Sequence, residues 1–272
     1  WRSIVAFCEE GMRTLAQWRA QGAAYRSMYS RAHFIASHFL AANYKMCQPS
    51  VFWEAEISDP LSRNALGQLR NSRVVSGDLL QRISAAITNA GGTLPDTGNV
   101  YVWGEYLTLA LADELLFMNA AQRDYVLSLY SNEDPIIAGA RDRAQIAPHP
   151  VPPPELYRHH SSTFPVDGDV VNIGYFGNFY KSQDPAALLA ACADLVHGGG
   201  DGVRLHMFVG DVETMSAAIH RAGAEAVVRC HPRVPYLEFL ALSQRMDILL
   251  AVDARTQAGQ HRNPVLLSKW SD

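Results

Sequence analysis

The 272-residue sequence predicts an α/β protein made of two parallel-sheet units, and three observations carry that expectation. From position 170 onward, apolar runs of strand length alternate with amphipathic segments of helix length. That pattern means βαβ units, a parallel sheet and right-handed crossovers. A cluster of prolines between Pro148 and Pro165 interrupts the chain just past its middle. Ahead of the prolines lies a second, more helical α/β stretch. At 48% hydrophobic and 18% charged residues, the chain has the composition of a soluble globular protein long enough for two cores.

In the first stretch, residues 9–19 and 31–43 show helical periodicity. Residues 51–57 read as a strand ending at Ser58-Asp59-Pro60, and 79–87 and 104–111 as further helices. A short strand over 114–118 precedes a helix capped by Asn119 that runs to about Tyr130. A last strand, 143–147, leads into the prolines. Trp103-Gly104-Glu105-Tyr106 reads as packing in preference to an exposed aromatic lip. Pro150, Pro152, Pro153 and Pro154 fix φ and remove donors. The expectation is therefore a connector over 151–165 with neither helix nor central strand, joining a unit over 1–150 to one over 166–272.

The second unit is the more regular. Strands are expected at 170–176, 203–209, 226–230 and 248–252, the last a buried run leading to the carboxylate of Asp253. Helices are expected at 186–196, with Asp184 as cap and Pro185 at its first position, then at 212–222 and 236–245. After Asp253 a polar loop opens into one more helix. Gly198-Gly199-Gly200 is a flexible turn.

Several function classes fall away on composition. A net charge of −4 without a dense Lys/Arg block gives no footprint for nucleic acid. Four cysteines without a CxxC pair form neither a disulfide framework nor a zinc site. They read as reduced, mostly buried thiols, which points to the cytoplasm. No apolar run approaches the roughly 20 residues of a bilayer span, and no signal peptide follows Trp1. The chain opens without methionine, so its natural N-terminus is expected upstream. None of the ten histidines forms an HExxH pattern. His33 and His38 are five apart, about 140° out of register on a helix, and make a poor metal pair.

In an open α/β sheet, ligands bind outside the carboxyl ends of the strands. The loop Gly174-Tyr175-Phe176-Gly177-Asn178-Phe179-Tyr180-Lys181 leaves the first strand of the second unit for a helix. Glycines permit close backbone approach, a helix N-terminus attracts anions and a lysine adds charge, a combination suited to a diphosphate. The loop is neither a Walker A sequence nor GxGxxG, so a P-loop ATPase or dinucleotide oxidoreductase has little support.

These segments together resemble the retaining GT-B glycosyltransferases of the large group called family 4. In that family a basic residue follows the glycine loop and contacts the donor diphosphate; Lys181 stands there, after Gly177 and Asn178. The family often adds an arginine in this loop, and here there is none. Pro235-Tyr236-Leu237 with Met246-Asp247-Ile248-Leu249-Leu250 resembles the nucleobase-pocket segment. Asn263-Pro264 and Ser268-Lys269-Trp270-Ser271-Asp272 resemble a motif whose loop and helix start face the diphosphate and whose last carboxylate holds the ribose. Leu267 replaces a common proline, and Pro264 replaces one of two glutamates most members carry. Trp53-Glu54-Ala55-Glu56-Ile57-Ser58-Asp59-Pro60 resembles a strand with an acidic tip facing the cleft; Asp59 equally reads as a cap of the turn ahead of Pro60. His149, after Ile146-Ala147-Pro148, is either a cleft residue or a linker histidine with a structural role.

The resemblance implies two Rossmann-like, doubly wound domains, each incomplete, and a fragment impaired in catalysis. It implies metal- and cofactor-independent sugar transfer from a nucleotide-sugar donor to a polysaccharide, glycolipid or other glycoconjugate acceptor. Lys181 and Lys269 would supply charge, Gly177, Asn178, Asn263 and Ser268 would bind the donor, Asp272 the ribose, and Asp59 and His149 would serve catalysis. Such enzymes are cytoplasmic, and those using lipid-linked acceptors often associate peripherally with the inner face of the membrane. The alternatives are another GT-B enzyme such as a nucleotide-sugar epimerase, or a non-catalytic Rossmann-like binding module.

Overall fold

The computed structural model describes residues 1–31, 34–64, 66–179, 183–199 and 202–253. The chain divides between His149 and Pro150 into two compact units. The first comprises α1 (Arg2–Ala20), β1 (Ser27–Arg31), α2 (Ala36–Cys47), β2 (Phe52–Ile57), α3 (Asp78–Asn89), α4 (Val100–Leu111), β3 (Glu114–Phe117), α5 (Ala120–Ser128), α6 (Pro135–Asp142) and β4 (Ala144–Ile146). The second comprises α7 (Pro154–His159), β5 (Val171–Phe176), α8 (Ala186–His197), β6 (Val203–Val209), α9 (Val212–Ala222), β7 (Val228–Pro232), α10 (Tyr236–Ser243) and β8 (Ile248–Leu249).

Every strand pair is parallel. The first sheet runs β1-β2-β3-β4 in simple sequence. β2 alternates, with Trp53, Ala55 and Ile57 buried. On α3, Leu79, Ile83 and Ile87 recur every four residues and form one buried stripe. Fully burying a side chain such as Ile83 stabilises by about 1.5–3 kcal/mol. α4 is the central helix of this unit: Trp103 through Leu109 are all buried, so Trp103 and Tyr106 are packing residues.

The second sheet runs β7-β6-β5-β8. Alternation on β6 gives it two faces. Leu205, Met207 and Val209 join Leu189 and Cys192 of α8 and Met215 and Ile219 of α9 in one core. Phe208 turns the other way, toward Leu242, Met246 and Phe164.

Five sequence expectations need correction. Residues 27–31 form a strand and α2 starts at Ala36, whereas helix was expected from 31. Polar β1 is recognisable only through its partner: it pairs with β2 along its whole length, and Arg31 reaches Glu56 at 2.8 Å. The proline segment does contain a helix, α7. Pro153 and Pro154 sit at its start, where a missing N–H is harmless, and α7 packs on α10. The third strand of the second unit is shifted two residues, because Gly223 (φ 70) and the bonds from Val227 and Val228 N–H to the Ala224 carbonyl prolong the turn after α9. The fourth strand shrinks to Ile248–Leu249, both about half exposed at 49% and 53%, since among the described residues it is paired on one side only. Finally, Cys47 is exposed; all four cysteines are free, Cys8 and Cys192 buried.

Candidate functional site

In the second unit the chain reverses direction across the sheet at β5, whose neighbours are β6 and β8. Such a reversal opens a crevice at the carboxyl edge, the standard location for a ligand in this architecture. The loops that meet this edge are 177–179 after β5, 210–211 after β6, 233–235 after β7 and 250–253 after β8.

Glycines shape the β5 exit. A Cβ on Gly174 would lie 2.8 Å from both Met246 Cγ and Phe176 Cε2. Gly177 holds φ at 133°, which side chains rarely adopt. Its N–H donates to the Phe208 carbonyl at 2.9 Å, so this amide is committed within the protein. The Asn178 carboxamide oxygen accepts the Gly210 N–H at 2.9 Å, lashing the β5 loop to the β6 loop. Gln183, which sequence reasoning passed over, is 5% exposed and donates to the Val252 carbonyl at 2.7 Å, stitching the start of α8 to the exit of β8.

Above this edge lies an aromatic cavity of about 210 Å³. Phe176 and Phe208 stack at 4.7 Å with 4° between their planes, and Phe239 meets Phe176 edge-on at 4.8 Å. Tyr236, Val234, Gly177 and Arg233 complete the wall. Nothing in residue spacing announces that β5, β6 and α10 would each place a phenylalanine here; the register Phe176↔Phe208 brings two of them together. A larger cavity of about 640 Å³ opens by the starts of α8 and α9. There Asp184 accepts from Ala186 N–H and Asp211 from Thr214 N–H, so carboxylates already occupy both helix starts. The hydrogen bond from Thr214 holds the Asp211 carboxyl below its usual range. Arg221 also lines this cavity, so its charges are mixed.

Beneath the edge, His206 bridges Asn172 Oδ1 through Nε2 and His231 through Nδ1, both at 3.1 Å. Phe164 meets both imidazoles edge-on, at 5.4 and 4.9 Å. Burial first, then the neighbouring His231, Arg204 and Arg229, push the His206 pKa down to about 4. Burial, then Arg229, lowers the His231 pKa as well, so the fold favours the neutral form of both rings.

In the first unit, Asp59 is exposed on the bend after β2, and His149 is half-buried after β4. The two share the carboxyl edge, with β3 between their strands, so those strands lie about 10 Å apart. The next bend, 61–62, is held by Glu105, fully buried on α4. Its Oε2 accepts Leu61 N–H at 2.7 Å and Ser62 N–H at 3.1 Å; its Oε1 accepts the hydroxyls of Ser62 at 2.7 Å and Tyr130 at 2.8 Å. Burial raises the Glu105 pKa, and these four donors oppose the rise. Gln122, also buried, accepts Met118 N–H at 2.9 Å and donates to the Ser58 carbonyl at 2.7 Å.

His38 is buried against Ser30, bonded at 2.8 Å, while His33 lies outside the described residues. So do Lys181, Asn263, Ser268, Lys269 and Asp272. Among the described residues no three His, Cys, Asp or Glu side chains converge as metal ligands, and no helix is long and apolar enough to cross a membrane.

No protein-family model and no curated protein matches the sequence. Solved structures do. The E. coli trehalose-6-phosphate structure bound with UDP-2-fluoro glucose aligns over 94% of this chain and 58% of its own, with TM-score 0.57 and 12% identity. The S. aureus MnaA–UDP co-structure aligns over 94% and 59%, with TM-score 0.43 and 8% identity. The structure of TarM aligns over 84% and 37%, with TM-score 0.46 and 13% identity. The chain thus spans between about a third and three-fifths of these proteins. The first likeness, with the parallel α/β units above, establishes the GT-B fold of Rossmann-like domains.

Proposed function

We propose that this chain carries the donor-binding half, and part of the acceptor half, of a glycosyltransferase that uses a nucleotide-activated sugar. The observation that carries the reading is the carboxyl edge of β5–β8: a strand-order reversal, a glycine exit from β5 and an aromatic cavity sized for a nucleobase occur together. The GT-B fold supports it by analogy, since the E. coli structure of that fold holds UDP-2-fluoro glucose.

In this reading the base stacks among Phe176, Phe208 and Phe239, and Gly177 and Asn178 shape the loop beside the diphosphate. Lys181, Asn263, Ser268 and Lys269 contact the donor, and Asp272 holds the ribose. Fixed positive charge stabilises the departing nucleoside diphosphate, which requires no metal. The acceptor, a polysaccharide, glycolipid or other glycoconjugate, attacks from the face the leaving group vacates, giving retention, with Asp59 and His149 on the acceptor side. The work is cytoplasmic, with peripheral membrane contact when the acceptor is lipid-linked.

Calorimetric titration of UDP, GDP, ADP and TDP into the protein, repeated with Lys181→Ala, tests the reading. It expects selective binding of one nucleotide, weakened by the substitution. Binding of none by this chain and by a version extended at both ends would favour an interaction module. Conversion of a supplied nucleotide-sugar into its epimer without any acceptor would favour an epimerase.

A further inference from the structure

The geometry points to Arg233 as the phosphate-binding cation of this edge, an inference that rests on the nucleotide reading above. Arg233 follows β7 and lines the aromatic cavity, where it is the only charged side chain among the described residues of the wall. Its guanidinium lies on the backbone of Gly210: a Cβ there would sit 3.2 Å from both its Nε and one terminal nitrogen. Gly210 therefore makes the space that brings a β7 cation against the β5 and β6 loops.

Three other polar groups of these loops are already committed. The Gly177 amide donates to Phe208, Asn178 accepts from Gly210, and Asp211 accepts from Thr214. The nearest acidic residue of α10, Glu238, accepts from Ser162. Among the described residues Arg233 makes no ion pair. An exposed guanidinium at the mouth of an apolar, aromatic cavity matches a ligand with a flat ring at one end and an anion at the other. A guanidinium binds phosphate oxygens through two parallel N–H bonds, which a fixed position over Gly210 favours. It also provides from β7 the positive charge that the β5 loop lacks in arginine form.

The test is calorimetry with UDP, GDP, ADP and TDP, and with the four matching nucleosides, on wild type, Arg233→Ala and Arg233→Lys. The exposed site makes both variants compatible with folding. For the nucleotide that binds, Arg233→Ala is expected to weaken the diphosphate about tenfold to a hundredfold, the range of a charge-assisted contact, while its nucleoside stays within about twofold. Arg233→Lys is expected to restore part of the loss, and added salt to narrow the gap between wild type and Arg233→Ala. Equal binding of the diphosphate by wild type and Arg233→Ala would overturn the assignment alone. Equal losses for nucleoside and diphosphate would also overturn it, placing Arg233 against the ring. No nucleotide binding by wild type or by a version extended at both ends would overturn both the assignment and the reading beneath it.

Discussion

Replacing Glu105 tests whether the 61–62 bend, just past Asp59, is held by one buried carboxylate. Leu61 and Ser62 are each 2% exposed, and their N–H groups have Glu105 Oε2 as acceptor. Glu105→Ala strands both amides; the Ser62 and Tyr130 hydroxyls can rotate. Each stranded buried donor costs about 1–3 kcal/mol, and relief of a desolvated carboxyl offsets some of that. The expected loss is about 2–5 kcal/mol. Glu105→Gln keeps a carbonyl oxygen for the two amides and turns its NH2 toward two hydroxyls, which can accept as well as donate. It should cost under about 1 kcal/mol. Sign follows from linkage: burial raises the folded pKa of Glu105, so its contribution is fullest at low pH and declines as pH rises through the folded value. Glu105→Gln removes that decline. Guanidinium unfolding followed by tryptophan fluorescence suits the measurement, because four of the five tryptophans, Trp1, Trp18, Trp53 and Trp103, belong to the first unit. An alanine variant within about 0.5 kcal/mol of wild type, or a glutamine variant as unstable as alanine, would refute the reasoning.

Further consequences concern both units. Gly174→Ala forces a methyl group to 2.8 Å from Met246 and Phe176 and should destabilise the second unit by about 1–3 kcal/mol, read as an earlier thermal transition in circular dichroism. The depressed pKa values of His206 and His231 mean that folding favours neutral rings, so the second unit should lose stability as pH falls from about 6.5 toward 4. His206→Gln should flatten that acid slope in pH-dependent unfolding; an unchanged slope would exclude His206 as its source. Asp134→Ala removes the N-cap bond to Ile136 N–H and the acceptor of the Tyr106 hydroxyl. A loss of about 1–2 kcal/mol in the same fluorescence assay is expected.

How legible these features were depends on whether their cause is local. β5 and β6 show as apolar runs, and α9 carries its own punctuation, with Asp211 capping Thr214 and Gly223 in the left-handed region at its end. α6 carries a local signal of its own: Asp134-Pro135 is a cap followed by proline at the first helical position. β1 had no such signal, since a polar strand is defined by hydrogen bonds to β2 that lie over twenty residues away. The glycine loop after β5 was visible as a loop, yet the commitment of its amide and of Asn178 depends on where β6 ends. The same holds for the aromatic cavity and for Arg233, which three strands and a helix bring to one edge. Glu105 looked like one more residue of an apolar helix; its role emerges only when the 61–62 bend folds over it.

Hydrogen–deuterium exchange of the protein with and without the nucleoside diphosphate that binds in calorimetry tests the central claim most directly. The account predicts slowed exchange in 174–179, 208–211 and 233–239, the loops and helix around the aromatic cavity, with α3 and α4 unchanged. Protection confined to the first unit, or binding that leaves those three segments unaltered, would contradict it.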